Sequence, residues 1–326
     1  MAAEVAAERA GRADACRVIK ACPACAAGTY QRVGETASAF DTVMAGRVFR
    51  QPAYAIHRCE QCDLYYKSRT LTVAQLEDYY SVLDSAPFEH EGDYPTDRAV
   101  RRMLGELAPE SRVLDFGCST GRMLKELTTR LDCFGVEPNT EAAAIAGRRG
   151  IRMIAEERLR SNAGAFDAII LADVYEHLPH PVTLVELLVS RLKPGGWLVI
   201  VTGNADAVPF RARLGEFWYF RLPGHLHMLS EHHASWLASR LSLELSELRR
   251  CSHYDTPGPQ RVRQAAQAWL YHQFRAAPWP PLTALLRRLP RLRDAEQWST
   301  APALTYTCDH VVARFRKPPA FKNPAP

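Results

Sequence analysis

The 326-residue sequence has no uninterrupted apolar run of about 18 residues, which excludes a membrane-spanning helix. The first 15 residues are rich in alanine but carry Glu4, Glu8, Arg9, Arg12 and Asp14. That is neither an apolar signal core nor an acid-free transit peptide, so the expected location is cytoplasmic, with a disordered start over residues 1–19. No internal repeat is present. The cysteines number nine, an odd count, and without a secretory signal this argues against a disulfide framework.

What is present is an ordinary globular composition, 47% hydrophobic and 24% charged, long enough for one large α/β domain and a small accessory module. Residues 211–326 hold 17 Lys/Arg against 8 Asp/Glu, so the positive charge sits in the C-terminal third. Such a surface fits nucleic acid, an anionic membrane or a phosphorylated small molecule, and equally a solvated helix face.

From Arg112 onward, short apolar runs alternate with helical stretches. Strands are expected at Val113–Phe116, Cys133–Glu137, Ile151–Ala155, Asp167–Leu171, Trp197–Thr202, Leu243–Leu248 and His310–Phe315. Helices are expected at Gly121–Leu131, Thr140–Arg149, Val182–Leu192 and Ser230–Leu241. This alternation predicts a parallel sheet covered on both faces. Upstream, Thr72 and Gln75 read as a capping box for a helix over 72–80, and another helix fits Thr96–Leu107. The expected division is a zinc-binding module over 20–70, a helical linker or lid over 71–110 and a core over 111–256. A helical insertion over 257–300, a last core strand within 301–318 and a tail over 319–326 complete it.

Cys22-Pro-Ala-Cys25 and Cys59-Glu-Gln-Cys62 are two C-x-x-C knuckles with 33 residues between them. Four thiolates make a closed tetrahedral zinc site that holds structure and leaves no open position for chemistry.

Arg112-Val-Leu-Asp-Phe-Gly-Cys-Ser-Thr-Gly121 places a turn of small residues between a strand and a helix, and Glu137 ends the next strand. Glycines there let a ligand approach the backbone, and the carboxylate can accept from two ribose hydroxyls. This much fits a dinucleotide site as well. The turn, however, resembles the first motif of class I S-adenosylmethionine (SAM) methyltransferases. Gly135-Val-Glu-Pro138, the stretch Phe166–Pro181 with its Glu176-His-Leu-Pro-His-Pro181, and Leu192-Lys-Pro-Gly-Gly196 resemble later motifs of the same family. Ser119 stands where the family usually has its middle glycine.

The resemblance implies a Rossmann-like seven-stranded α/β sheet with helices on both faces. To it the sequence adds a zinc-ribbon-like module and a helical insertion before the last strand. Carried over by motif, Asp115, Gly117 and Gly121 would shape the methionine end of the pocket, with Cys118 a small filler. Glu137 would bind the ribose, Glu156 would lie near the adenine and Asp173 near the sulfonium. Three histidines are candidate catalytic residues. His225 and His227 lie in a segment similar to one in zinc-bearing sugar C-methyltransferases, where a histidine is tied to deprotonation, although Gly224 replaces the preceding acid. His177 follows Asp173 and Glu176 in a phrase similar to one that binds Mg²⁺ in ubiquinone-biosynthesis O-methyltransferases. His232 and His233 are expected to be exposed first-turn helix residues. Tyr79, Tyr80, His90 and Tyr94 are candidates for a lid.

The expected partner is a small-molecule acceptor, sugar-containing or phosphorylated. Residues 264–293, with Trp269, Tyr271, Phe274 and Trp279 among arginines, could instead touch a membrane, close the pocket or form a dimer contact. The rival reading is a zinc-ribbon RNA methyltransferase. Against it stand the absence of an N/D-P-P-Y/F motif, of a Pro-Cys pair in the fourth motif and of ordered aromatic interleaving. A non-catalytic zinc-ribbon interaction protein is the third reading.

Overall fold

The computed structural model describes residues 16–36, 38–82, 93–161, 164–207, 217–275, 279–289, 298 and 302–319. Residues 1–15, His90 and the tail from 320 onward lie outside these.

The N-terminal part is built from seven short strands: β1 (Arg17–Val18), β2 (Tyr30–Glu35), β3 (Phe40–Met44), β4 (Arg47–Gln51), β5 (Ala55–Cys59), β6 (Tyr65–Lys67) and β7 (Arg69–Thr70). Helix α1 (Val73–Ser81) follows, and Thr72 and Gln75 do form the capping box at its start. Helix α2 is Pro95–Leu104.

The core then runs β8 (Arg112–Phe116), β9 (Asp132–Val136), α3 (Thr140–Arg148), β10 (Arg152–Met153), α4 (Glu156–Ser161), β11 (Phe166–Ala172), α5 (Pro181–Ser190) and β12 (Leu192–Gly203). After it come α6 (Trp218–Arg221), β13 (His227–Met228), α7 (Glu231–Arg240), β14 (Glu244–Cys251), α8 (Gly258–Arg275), α9 (Pro280–Arg287) and β15 (His310–Arg316).

The central sheet has seven strands in the order β10-β9-β8-β11-β12-β15-β14. Its inner strands are buried on both faces, with Val113, Leu114, Ile169, Ile170, Val199 and Ile200 wholly inaccessible. That explains why they read as continuous apolar runs rather than alternating ones. The sheet is not wholly parallel as expected: β15 runs antiparallel to both β12 and β14. Its first residues therefore lie at the edge where the parallel strands end, the edge at which open α/β sheets bind ligands.

Three further expectations are corrected. Residues 121–130 form a succession of hydrogen-bonded turns rather than a helix. Bonds from Leu124 N–H to Gly121 O and from Leu127 N–H to Leu124 O alternate there with longer-reaching ones such as Lys125 N–H to Gly121 O. The cysteine module is not a self-contained piece, since its four-stranded sheet, β13-β6-β5-β2, takes β13 from the segment after the fifth core strand. His233 is buried, not exposed. Ser230 does cap α7, accepting from His233 N–H at 3.0 Å. The insertion forms α8 and α9, with Tyr271 and Leu286 packed inward and Trp269, Trp279 and Leu285 exposed. Among the described residues no helix is long and apolar enough to cross a membrane.

Candidate active site

The carboxyl edge of the sheet opens into a cavity of about 1000 Å³. One wall is the turn after β8. Gly117 has φ +78° and Gly121 φ +83°. A Cβ on Gly117 would lie 2.5 Å from Val174 Cγ2, and one on Gly121 would lie 2.3 Å from Ile151 Cδ1. Ser119 also sits in the left-handed region, at φ +47°, which is why glycine is the usual occupant of that place. Cys118 is buried, and its Sγ lies 2.6 Å from where a Cβ on Gly135 would be, so it fills space as expected.

Glu137 is braced from beneath. Ser119 N–H donates to its Oε2 at 2.9 Å and Asn139 N–H to its Oε1 at 2.8 Å. Asp115 is buried at the end of β8, and its Oδ1 has no hydrogen-bond partner among the described residues. Burial, then the charge of Glu137, pushes its carboxyl up to about 7. A buried acceptor left without a donor marks a place where a ligand is expected. Glu156 is not brought to this cavity. It opens α4, and Arg160 one turn later takes its carboxylate at 2.7 Å.

On the opposite wall the sequence-predicted Asp173 meets two histidines that sequence reasoning did not single out. Asp173, at φ +54° just beyond β11, lies 3.5 Å from Nε2 of His310, the first residue of β15. His310 Nδ1 lies 3.2 Å from Oδ1 of the buried Asp309. His253, just beyond β14, packs its ring 4.5 Å from that of His310 and 4.2 Å from Tyr94. Burial disfavours a charged His310, but the ion pairs with Asp173 and Asp309 outweigh it and raise its pKa to about 10. Burial likewise pushes Asp173 up, and His310, His253 and His225 more than reverse this. These residues are far apart in sequence and meet only because β15 runs antiparallel. A polar Asp-His pair directly before an apolar strand was the one available signal.

The third wall is the loop ahead of β13. His225 packs its ring 4.0 Å from Tyr219 and 4.8 Å from His177. Burial, then the neighbouring His177 and Lys67, holds it well below the usual histidine pKa, so it is neutral at neutral pH. Lys67 is itself buried and donates to Leu222 O at 2.9 Å, fixing the start of this loop. His177 Nδ1 lies 3.0 Å from both Tyr80 Oη and Gly224 O, which ties the loop to α1. Tyr79, Tyr80 and Tyr94 thus all border the cavity as candidate lid residues, Tyr79 also packing in a hydrophobic cluster.

One candidate residue and one candidate metal set fall away on geometry. His227 is wholly buried in β13, its Nε2 donating to Leu178 O at 3.0 Å, and it does not line the cavity. The candidate Asp173–Glu176–His177 metal set is divided. Glu176 is buried with Oε1 accepting from Tyr219 O–H at 2.6 Å and Oε2 from Thr202 O–H at 2.8 Å. Asp173 groups instead with His253 and His310.

Cys22, Cys25, Cys59 and Cys62 converge, all four Sγ atoms lying within 4.8 Å of one another. The Cys22–Cys62 and Cys25–Cys59 pairs are 3.4 Å apart. Four ligands at about 2.3 Å around a tetrahedral zinc are separated by about 3.8 Å, so the cluster has the size of such a site. Each knuckle ends in a left-handed residue, Ala26 at φ +61° and Asp63 at φ +61°.

Residues 88–248 match a family described as a methyltransferase domain. The match takes in α2 and most of β14, and it leaves the cysteine module, the insertion and β15 outside. The ubiquinone biosynthesis O-methyltransferase of Cronobacter sakazakii is 28% identical over 146 residues, 39% of this chain and 60% of the relative. The chain thus spans less than two thirds of that relative's length. The enzyme of the same name from Bordetella avium is 25% identical over 203 residues, 55% of this chain and 84% of the relative. Among solved structures, the N-methyltransferase NodS from Bradyrhizobium japonicum in complex with S-adenosyl-L-homocysteine aligns over 75% of this chain and 97% of its own. The identity is 18% and the TM-score 0.42.

Proposed function

We propose that this chain, which carries a class I SAM-dependent methyltransferase domain, moves the methyl group of SAM to a small acceptor bound on the histidine side of the cavity. The observation that carries the reading is the cradle after β8. It combines two glycines at positive φ, a braced Glu137 facing outward and a buried Asp115 oxygen with no partner. An adenosyl ligand with an amino-acid tail supplies what these groups lack: ribose hydroxyls for Glu137 and donors at the methionine end, where Asp115 lies.

SAM brings a methyl group on a sulfonium, already a good leaving group. The protein has only to align the acceptor, exclude water and receive a proton. A neutral His225 on the acceptor side, held between Tyr219 and His177, is the group assigned to that proton. Glu176, buried under Tyr219 and Thr202, positions the floor on which His225 rests. The cavity, at about 1000 Å³, has the capacity for a cofactor together with a small acceptor. Zn²⁺ on Cys22, Cys25, Cys59 and Cys62 would be structural, since four thiolates leave no open position.

The test is calorimetry with SAM and S-adenosylhomocysteine, followed by an acceptor screen with methyl-labelled SAM, sugar nucleotides first. Binding of both compounds and label transfer to a small molecule support the reading. RNA binding that falls steeply with salt, with label appearing in RNA, would replace it with an RNA methyltransferase. A folded protein that binds neither compound would contradict it altogether.

A further inference from the structure

We infer that Asp173, His253 and His310 form a site for one divalent first-row metal ion in the wall of the cavity, and that this ion holds the acceptor oxygen. The three residues meet at one edge of the sheet, Asp173 just beyond β11, His253 just beyond β14 and His310 at the start of β15, with β12 between β11 and β15. Their ligand atoms all lie within 4.8 Å of one another, and Asp173 Oδ1 is 3.5 Å from His310 Nε2. Two histidines and one carboxylate on one side of an ion form a facial set that leaves positions open for a ligand.

The surroundings are those of a prepared ligand set. Oδ1 of the buried Asp309 takes up His310 Nδ1 at 3.2 Å, which leaves Nε2 as the nitrogen that faces the cavity. The same oxygen accepts from the backbone N–H of His253 at 2.9 Å, so one carboxylate orients the His310 ring and holds the main chain at His253. Among the described residues the buried His253 Nδ1 makes no hydrogen bond, and the buried Asp173 Oδ1 has His310 Nε2 beside it at 3.5 Å. The other nearby cluster of donor atoms, Glu176, His177 and His225, is committed elsewhere, because Glu176 has both oxygens occupied and His177 Nδ1 is paired with Tyr80 and Gly224.

The chemical role of the ion rests on the methyltransferase reading. Bound there, the ion would lower the pKa of an acceptor hydroxyl, and His225 would receive the proton released as the O–H bond breaks. The oxygen lone pair would form the new bond to the methyl carbon while the C–S pair returns to sulfur, giving the methyl ether and S-adenosylhomocysteine. The acceptor class this favours is one with an oxygen pair able to chelate, such as a vicinal diol or an α-hydroxy carbonyl.

The experiment titrates Mn²⁺ into the full-length protein and follows loss of the free-ion EPR signal, with zinc content and S-adenosylhomocysteine binding measured on the same samples. Mn²⁺ suits nitrogen and oxygen ligands and competes poorly for thiolates, so the cysteine site does not interfere. One Mn²⁺ per chain is expected, with imidazole nitrogen couplings in pulsed EPR. His253→Gln and His310→Gln should weaken uptake at least about tenfold, and Asp309→Asn by about tenfold, with zinc content and nucleoside binding unchanged. No uptake by wild-type protein that binds S-adenosylhomocysteine, or equal uptake by wild type and both histidine variants, overturns the site and leaves Asp173–His310–Asp309 as an ion-pair chain. Mn²⁺ uptake of the expected kind without nucleoside binding upholds the metal site while removing the methyltransferase reading.

Discussion

His233 Nδ1 lies 2.8 Å from the carbonyl oxygen of Cys62. The same ring reaches Tyr175 Oη with Nε2 at 2.7 Å, so one buried side chain joins the second cysteine knuckle to the end of the fourth core strand. Ser230, the cap of α7, adds a 2.6 Å bond to Asp63 Oδ2, and β13 pairs with β6. The cysteine module and the core are thereby mechanically one body, and the His225 loop is stretched between them.

A zinc ion on the four cysteines would therefore support the whole chain. Wild-type protein is expected to hold one zinc on its four cysteines by elemental analysis. A Cys25→Ser, Cys62→Ser variant should lose it and melt about 10 °C or more lower, given the several kcal/mol that a structural metal contributes. Melting should remain a single transition. A variant that keeps both metal and melting temperature contradicts the assignment.

Acid should weaken the fold through its buried histidines. Burial lowers His227 to about 3, and His233 and His253 to about 4, each from an ordinary 6.5. Between pH 6.5 and 4 the unfolded chain takes up protons that the folded chain cannot, so stability is complete above about pH 6.5 and is lost as pH falls toward the folded values. Urea midpoints measured at pH 7.5, 6 and 5 should fall in that order. His227→Gln should flatten part of the slope, and an unchanged slope would exclude His227 as a contributor.

Replacing His225 should separate chemistry from cofactor binding. His225→Ala is expected to leave SAM affinity within a factor of about two while turnover falls by about 10²-fold or more, the scale of a lost general base. Unchanged turnover would move the proton acceptor elsewhere.

The turn after β8 offers a paired test. Ser119→Gly removes a left-handed strain worth about 1 kcal/mol and should raise stability slightly without loss of SAM binding. Gly117→Ala forces a Cβ to within 2.5 Å of Val174 and should abolish that binding. The opposite ranking would mean that the turn does not hold the ligand.

How much of this was legible follows from how local each signal is. The strands ending in Phe116, Val136 and Ala172 were readable because burial on both faces demands unbroken apolar runs. Ser119 was readable as a departure from glycine, and its φ of +47° shows the reason for that preference. The Gly121–Leu131 stretch has helix-forming residues, yet tertiary packing around the glycine turn leaves it as successive turns. His233 looked exposed because a helix's first turn usually faces water, whereas here the cysteine module covers it. His227 shared a segment with His225, but it lies in β13, paired to β6 and wholly buried, whereas His225 lies in the loop ahead of that strand. His253 and His310 carry no local pattern, since only the antiparallel return of β15 brings them to Asp173.

The most direct measurement is titration calorimetry of the purified full-length protein with S-adenosylhomocysteine, alongside Glu137→Ala. One site per chain is predicted for wild type, with affinity falling at least about tenfold when the braced carboxylate is removed, as expected for losing charge-assisted bonds worth about 1.5–3 kcal/mol. No heat with wild type, or equal binding by the Glu137→Ala variant, would contradict the central claim that the edge of the sheet beside Asp115 and Glu137 holds an adenosyl group.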